Sequence, residues 1–258
     1  MKSFGQKKMV RKMKFIKDQE GIMNRYLREQ ENWQEHLDNT KQFIINSFQD
    51  KNIKSLAVLG SGWLLDLPLK ELSEKFKKIV LVDVYHPPQI VKKTAPYKNI
   101  TLFETDISGG GIKFCWELRK AKGEHFSKYI LDEFKPQRPT LPFTTDAYIS
   151  LNLLNQLDIL LVDYLKKKNV RIVGVEIKRF RKTIQQFHIN WITKNPGCLI
   201  TDMAELNQEN EQPVKEQKLV YVDLPKSNRT KEWIWDFDLS ETYRTGLKTK
   251  MKVKAVEW

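Results

Sequence analysis

Residues Ser55 to Asp83 constrain this chain more than any other stretch. SLAVLGSG reads as a short buried strand that breaks into glycines, LDLPLKELSEKFKK reads as a helix, and IVLVDV reads as a second buried strand closing around Asp83. Gly60 and Gly62 fall where a strand must turn sharply into a helix, and a residue without a Cβ lets the backbone pass close to a bound ligand. Asp83 stands 23 residues after Gly60, at the tip of the second strand. That spacing suits a carboxylate that accepts hydrogen bonds from the ribose hydroxyls of a nucleoside-containing cofactor. The stretch therefore reads as the first half of a nucleotide-binding βαβ unit. A tight strand-to-helix turn with no cofactor is the structural alternative.

At 258 residues the chain can bury a substantial core without disulfides. Its two cysteines, Cys115 and Cys198, lie far apart and show neither metal nor redox spacing, so buried thiols in a reducing cytoplasm are expected and no metal site is. No segment reaches the roughly eighteen apolar residues of a membrane helix, and a cytoplasmic protein with no membrane partner is predicted.

The net charge is +13, and seven of the basic residues precede residue 18 with no acidic residue among them. Residues 1–19 are expected to form a basic disordered tail. Such a tail can hold nucleic acid by salt-sensitive electrostatics, although no nucleic-acid-binding motif accompanies it.

Residues 20–258 are expected to form one domain that begins with a helical extension over 20–50. There Met23, Tyr26, Leu27, Trp33, Leu37, Phe43, Ile44 and Phe48 recur mostly at three- and four-residue steps. Strands are predicted at Leu56–Leu59, Ile79–Val84, Ile100–Thr105, Ala147–Leu151 and Cys198–Met203. A helix ending at Ile192 precedes the last of these, and LNQENEQPVKEQ reads as an exposed loop. LVYVDL, WIWDFDL and TKMKVKAVEW read as further strands. In the last, Lys248, Lys250, Lys252 and Lys254 alternate with smaller or apolar residues, the pattern of an antiparallel strand at a solvated sheet edge. The fold class predicted is α/β: a doubly wound, mostly parallel sheet of the seven-stranded type, with an antiparallel C-terminal strand and N-terminal helices before it.

With its strand ends placed, the region from about residue 50 onward resembles the class I S-adenosylmethionine-dependent methyltransferase superfamily. The resemblance implies that Gly60, Ser61 and Gly62 cradle S-adenosylmethionine, that Asp83 binds the ribose, and that Asp106, with Ile107 beside it, borders the adenine. It implies that the end of the fourth strand, Asn152 with Ser150 near it, faces the methyl group and the acceptor. The chain departs from the family pattern at two positions: Val58 stands where an acidic residue is common, and Leu64 where a third glycine is. Methyl transfer needs alignment and a place for a proton rather than a fixed acid–base pair. The candidate bases are Asp202, at the end of the fifth strand, and His188, on the preceding helix; a capping role and a packing role are their respective structural readings. Gly109–Gly111 reads as an anion nest or a plain loop, and Trp63 as a cofactor-flanking or a core aromatic.

Three functions follow. An S-adenosylmethionine-dependent methyltransferase of unidentified acceptor accounts for both Asp83 and Asp106. A non-catalytic binding or scaffold module on the same fold, with nucleic acid as its partner, is the alternative. A nicotinamide-dependent oxidoreductase leaves Asp106 without a use.

Overall fold

A computed structural model describes residues 4–49, 52–119, 130–168, 170–210 and 212–258. The glycine-bounded apolar runs form a parallel sheet. β1 (Ser55–Leu59) lies between β2 (Lys78–Asp83) and β4 (Ala147–Leu151), β3 (Ile100–Glu104) flanks β2, and β5 (Gly197–Gln208) flanks β4. β7 (Arg229–Asp238) and β8 (Lys248–Glu257) continue the sheet antiparallel, giving the order β3-β2-β1-β4-β5-β8-β7; the short β6 (Lys215–Lys218) pairs off this path with the far half of β5.

Each central strand is buried on both faces, which is why these strands read as continuous apolar runs rather than as alternation. Ala57, Leu59, Val80 and Val82 face one core with α6 (Gly111–Leu118), α7 (Ile159–Lys167) and α8 (Gly174–Ile192). Leu56, Val58, Ile79 and Leu81 face the other, with α3 (Gln30–Phe48) and α4 (Leu69–Lys75). α5 (Pro88–Thr94) links β2 to β3. Among the described residues, no helix is long and apolar enough to cross a membrane.

Three expectations need correction. Of the basic segment expected to be disordered, residues 1–3 lie outside the described residues; the rest forms α1 (Phe4–Lys12) and the start of α2 (Phe15–Arg28). Val10 and Met13, three residues apart, are buried in the core, while Lys7, Lys8, Arg11 and Lys12 stay exposed. An amphipathic stripe was thus hidden within the charge.

β8 does not form the sheet edge, since β7 lies outside it. Its lysines do share one face, where Lys250, Lys252 and Lys254 pair with Asp236, Glu216 and Glu232 on neighbouring strands.

LVYVDL forms no strand; KEQK, just before it, pairs with β5 instead. Leu219 and Val220 are buried, and the Gln185 amide supplies the missing pairing: Nε2 donates to Leu219 O at 2.9 Å and Oε1 accepts from Tyr221 N at 2.7 Å.

Candidate active site

The chain runs outward from β1 through β2 to β3, then returns to place β4 on the other side of β1. At such a reversal the strand ends diverge and leave a crevice. A cavity of about 280 Å³ opens there. It is lined by Gly60, Ser61, Gly62, Asp83, Asp106, Ile107, Asn152 and Asp202 of the residues proposed from the sequence, and not by Ser150 or His188.

The glycine turn is fixed by close approach. Gly60 has φ 81°, and a Cβ there would meet Leu151 O at 2.7 Å and Leu153 Cβ at 2.9 Å. Gly62, at φ 47°, is less crowded: a Cβ there would meet Gly60 O at 4.0 Å. Leu64 stands where the family pattern carries a third glycine, and it takes up the left-handed conformation itself, with φ 55°. Its side chain is buried, so packing offsets the backbone strain.

Asp83 ties this turn to the second strand. Its Oδ2 accepts from Gly62 N at 2.8 Å, and its Oδ1 accepts from Val84 N at 2.7 Å and from Gln19 Nε2 at 2.9 Å. Burial pushes its carboxyl above the ordinary value, against the opposing influence of His86 and the backbone amides. Gln19 arrives from α2 and also donates to Tyr85 O, while Trp63 Nε1 donates to Gln19 O at 2.7 Å. Trp63 thus flanks the cavity and anchors the helix over it.

Asp106 spends its oxygens on the turn that opens α6: Oδ1 accepts from Ser108 N and Oγ, and Oδ2 accepts from Ile112 N. The Gly109–Gly111 segment is a packed turn, in which a Cβ on Gly109 would come within 2.7 Å of Pro136.

Beyond the end of β4 the cavity becomes acidic. Asn152, at φ 45°, donates to Asp66 Oδ2 at 2.7 Å, and Asn155 donates to Asp202 Oδ2 at 3.2 Å. Burial raises the Asp66 carboxyl to about 6, against the Asn152 bond. Burial raises Asp202 to about 7, with the charges of Asp66 and Glu205 adding to it and the Asn155 bond opposing. Asp202 does not end its strand as expected, because β5 runs on to Gln208; a bulge at Met203 interrupts the β5–β8 ladder immediately after it, the kind of irregularity that re-aims a side chain.

Of the candidate bases, His188 is not brought here. It is fully buried on α8, with Nε2 at 2.8 Å from Ser150 Oγ, and burial lowers its pKa to about 3. Ser150, expected near the acceptor, is committed to that packing pair.

His36 takes the neighbouring place, 3.4 Å from the Asn152 amide. Trp233 Nε1 donates to its Nδ1 at 3.1 Å, and Trp235 stacks on its ring at 3.8 Å. Both tryptophans therefore face one side of β7, as their alternation predicts. An indole N–H only donates, so His36 Nδ1 is an acceptor and the neutral ring carries its proton on Nε2. Gln19, His36, Asp66 and Asn155 carry no local sequence signal; each reaches the cavity from an element folded over it.

No protein-family model matches the sequence, and no curated protein matches it. Among solved structures, the chain is similar to the N-methyltransferase NodS from Bradyrhizobium japonicum WM9 in complex with S-adenosyl-L-homocysteine, at 8% identity over 85% of each chain and a TM-score of 0.39. It is similar to DhpI in a DhpI-SAM-HEP complex, at 8% identity over 100% of each chain and a TM-score of 0.39. It is similar to the 23S rRNA methyltransferase ErmE, at 8% identity over 86% of this chain and 68% of the other, with a TM-score of 0.34. Its own strand order, with five parallel strands, a reversed β8 beside them and a β7 that again runs in their direction, defines the class: an α/β protein with a doubly wound, Rossmann-like sheet.

Proposed function

We propose that this chain binds S-adenosylmethionine and transfers its methyl group to an acceptor seated in the same cavity. The observation that carries the reading is Asp83, a buried carboxylate at the tip of β2 that grips Gly62 N across the glycine turn and lines the crevice. The residues fit the group. Beside Asp83, the buried Oε1 of Gln19 has no hydrogen-bond partner, so a ribose diol finds two acceptors together. Gly62 leaves backbone open to the cavity, and Ile107 offers an apolar wall to a base, with Asp106 holding the turn beneath it. When bound, the cofactor supplies an electrophilic methyl group on a sulfonium. The chain supplies alignment and proton acceptance. Asn152 positions the acceptor, and Asp202, whose carboxyl is raised toward neutrality, receives its proton.

A non-catalytic module on the same fold is favoured by one observation: Asp83 already accepts three hydrogen bonds from within the chain. Thermal unfolding with S-adenosylmethionine, S-adenosylhomocysteine or NAD separates the readings. Methyl-transfer chemistry predicts that both adenosyl ligands raise Tm and NAD does not. A rise with NAD alone favours a nicotinamide enzyme, and no rise with any of the three favours the module.

A further inference from the structure

The half of the cavity beyond Asn152 has chemistry of its own. Its wall is aromatic: Trp33 meets Trp235 edge-on at 4.7 Å and stacks on Phe237 at 5.8 Å. Its polar groups are acceptors. Asp202 is 2% exposed, and its Oδ1 has no hydrogen-bond partner; Asn152 Oδ1 also has none. Two buried acceptors left open in one cavity ask for a donor, since each unpaired group costs about 1–3 kcal/mol.

The charges around them agree. Glu205 is neutralised by Arg244 at 3.0 Å, and Asp83 and Asp106 are held by backbone amides. Arg25 also lines the cavity, lying over Phe237 and Tyr243 at 4.5 Å each, and its charge is answered by Asp238, 3.9 Å from its Nε, and by Asp18. Asp66 and Asp202 keep one hydrogen-bonded side-chain partner each, both neutral amides; Lys41 and Lys93 act on Asp66 through their charge without a hydrogen bond to it, and Asp202 has acidic neighbours in Asp66 and Glu205. His36 adds no positive charge, because burial lowers its pKa to about 3.

We propose that this chamber binds an organic ammonium group, with Asp66 and Asp202 as its counter-charges, the free Asp202 and Asn152 oxygens accepting its N–H bonds, and the aromatic wall covering its carbon skeleton. On the methyl-transfer reading, which this rests on, the acceptor is therefore an amine. An ammonium nitrogen has no lone pair, so it must first release a proton, and Asp202 takes it. His36 cannot, because its Nδ1 lone pair already accepts from Trp233. The freed lone pair forms the N–C bond as the S–C electrons return to sulfur, and Asp202 passes its proton to solvent.

The test is calorimetric titration of the cofactor-free chain with 2-phenylethylamine, 2-phenylethanol and 3-phenylpropanoate, beside S-adenosylhomocysteine as a separate ligand. The proposal expects the amine to bind at least about tenfold more tightly than the alcohol, and the carboxylate not to bind. Asp202→Asn and Asp66→Asn should each weaken the amine by about tenfold or more and leave the alcohol unchanged, with circular dichroism confirming the fold. No amine binding, an equal affinity for the alcohol, or folded variants that bind the amine as the wild type does would each overturn it. S-adenosylhomocysteine binding without amine preference removes this inference and leaves the methyl-transfer reading standing. Amine preference without S-adenosylhomocysteine binding removes that reading and leaves an amine-binding chamber.

Discussion

Gln19 and Asp83 lie 64 residues apart in the chain and 2.9 Å apart in space, so the helix that precedes the sheet holds the carboxylate at the tip of β2. The basic N-terminal segment thereby becomes part of the cavity. Its lysines face solvent while its buried side, Val10, Met13 and Gln19, closes on the strand ends.

Gln19→Ala removes one donor to Asp83 and the open Oε1 beside it. We expect adenosyl-ligand affinity to fall by about 1–2 kcal/mol, five- to thirtyfold, with the fold retained, because Asp83 keeps its two backbone donors. Calorimetric titration with S-adenosylhomocysteine checks this.

Gly60→Ala forces a Cβ to within 2.7 Å of Leu151 O at a backbone φ of 81°. Strain and overpacking together should cost about 2–4 kcal/mol and lower Tm by roughly 5–15 °C. Leu64→Gly sets two effects against one another. Relief of the left-handed backbone returns about 1–2 kcal/mol, whereas loss of a buried leucine costs about 3–5 kcal/mol. The second is larger, so the glycine variant should be less stable than the wild type. Thermal unfolding decides both.

Asp202 gives a pH signature. Its carboxyl is raised by burial from the ordinary 3.8 to about 7, so the folded state binds the proton more tightly than the unfolded state. Stability from this group is full below about pH 4 and is lost as pH rises toward 7, the slope following the excess protons held by the native state. Asp202→Asn should flatten that fall and leave the variant more stable than wild type at pH about 8, by on the order of 2–4 kcal/mol. Denaturant unfolding of both proteins at pH about 5 and 8 measures the difference.

What could be read in the sequence was local. Gly60, Asp83, Asp106, Asn152 and Asp202 are legible because each stands at the end of an apolar run, and the ends of parallel strands converge on one edge of the sheet. The three strands β1, β2 and β4 carry that signal unambiguously, since both their faces are buried. Gln19, His36 and Asp66 were not legible, because their roles arise from packing between elements distant in sequence. His188 shows the reverse: a histidine on an apolar helix face attracts a chemical reading, yet its partner is the buried Ser150. LVYVDL has strand composition, but among the described residues Leu219 N is its only backbone group that reaches a strand, at Met203 O, and the Gln185 amide satisfies Leu219 O and Tyr221 N.

The central claim is that Asp83 holds the ribose of an adenosyl cofactor. Asp83→Asn keeps the size of the side chain and one acceptor oxygen for the Gly62 turn, but removes the charge that strengthens bonds to the ribose hydroxyls. Calorimetric titration of S-adenosylhomocysteine into wild type and Asp83→Asn tests it directly. The account predicts saturable binding to the wild type and a loss of about 2–4 kcal/mol, thirtyfold or more, in the folded variant. Equal affinity in the two proteins, or no binding to the wild type, would contradict it.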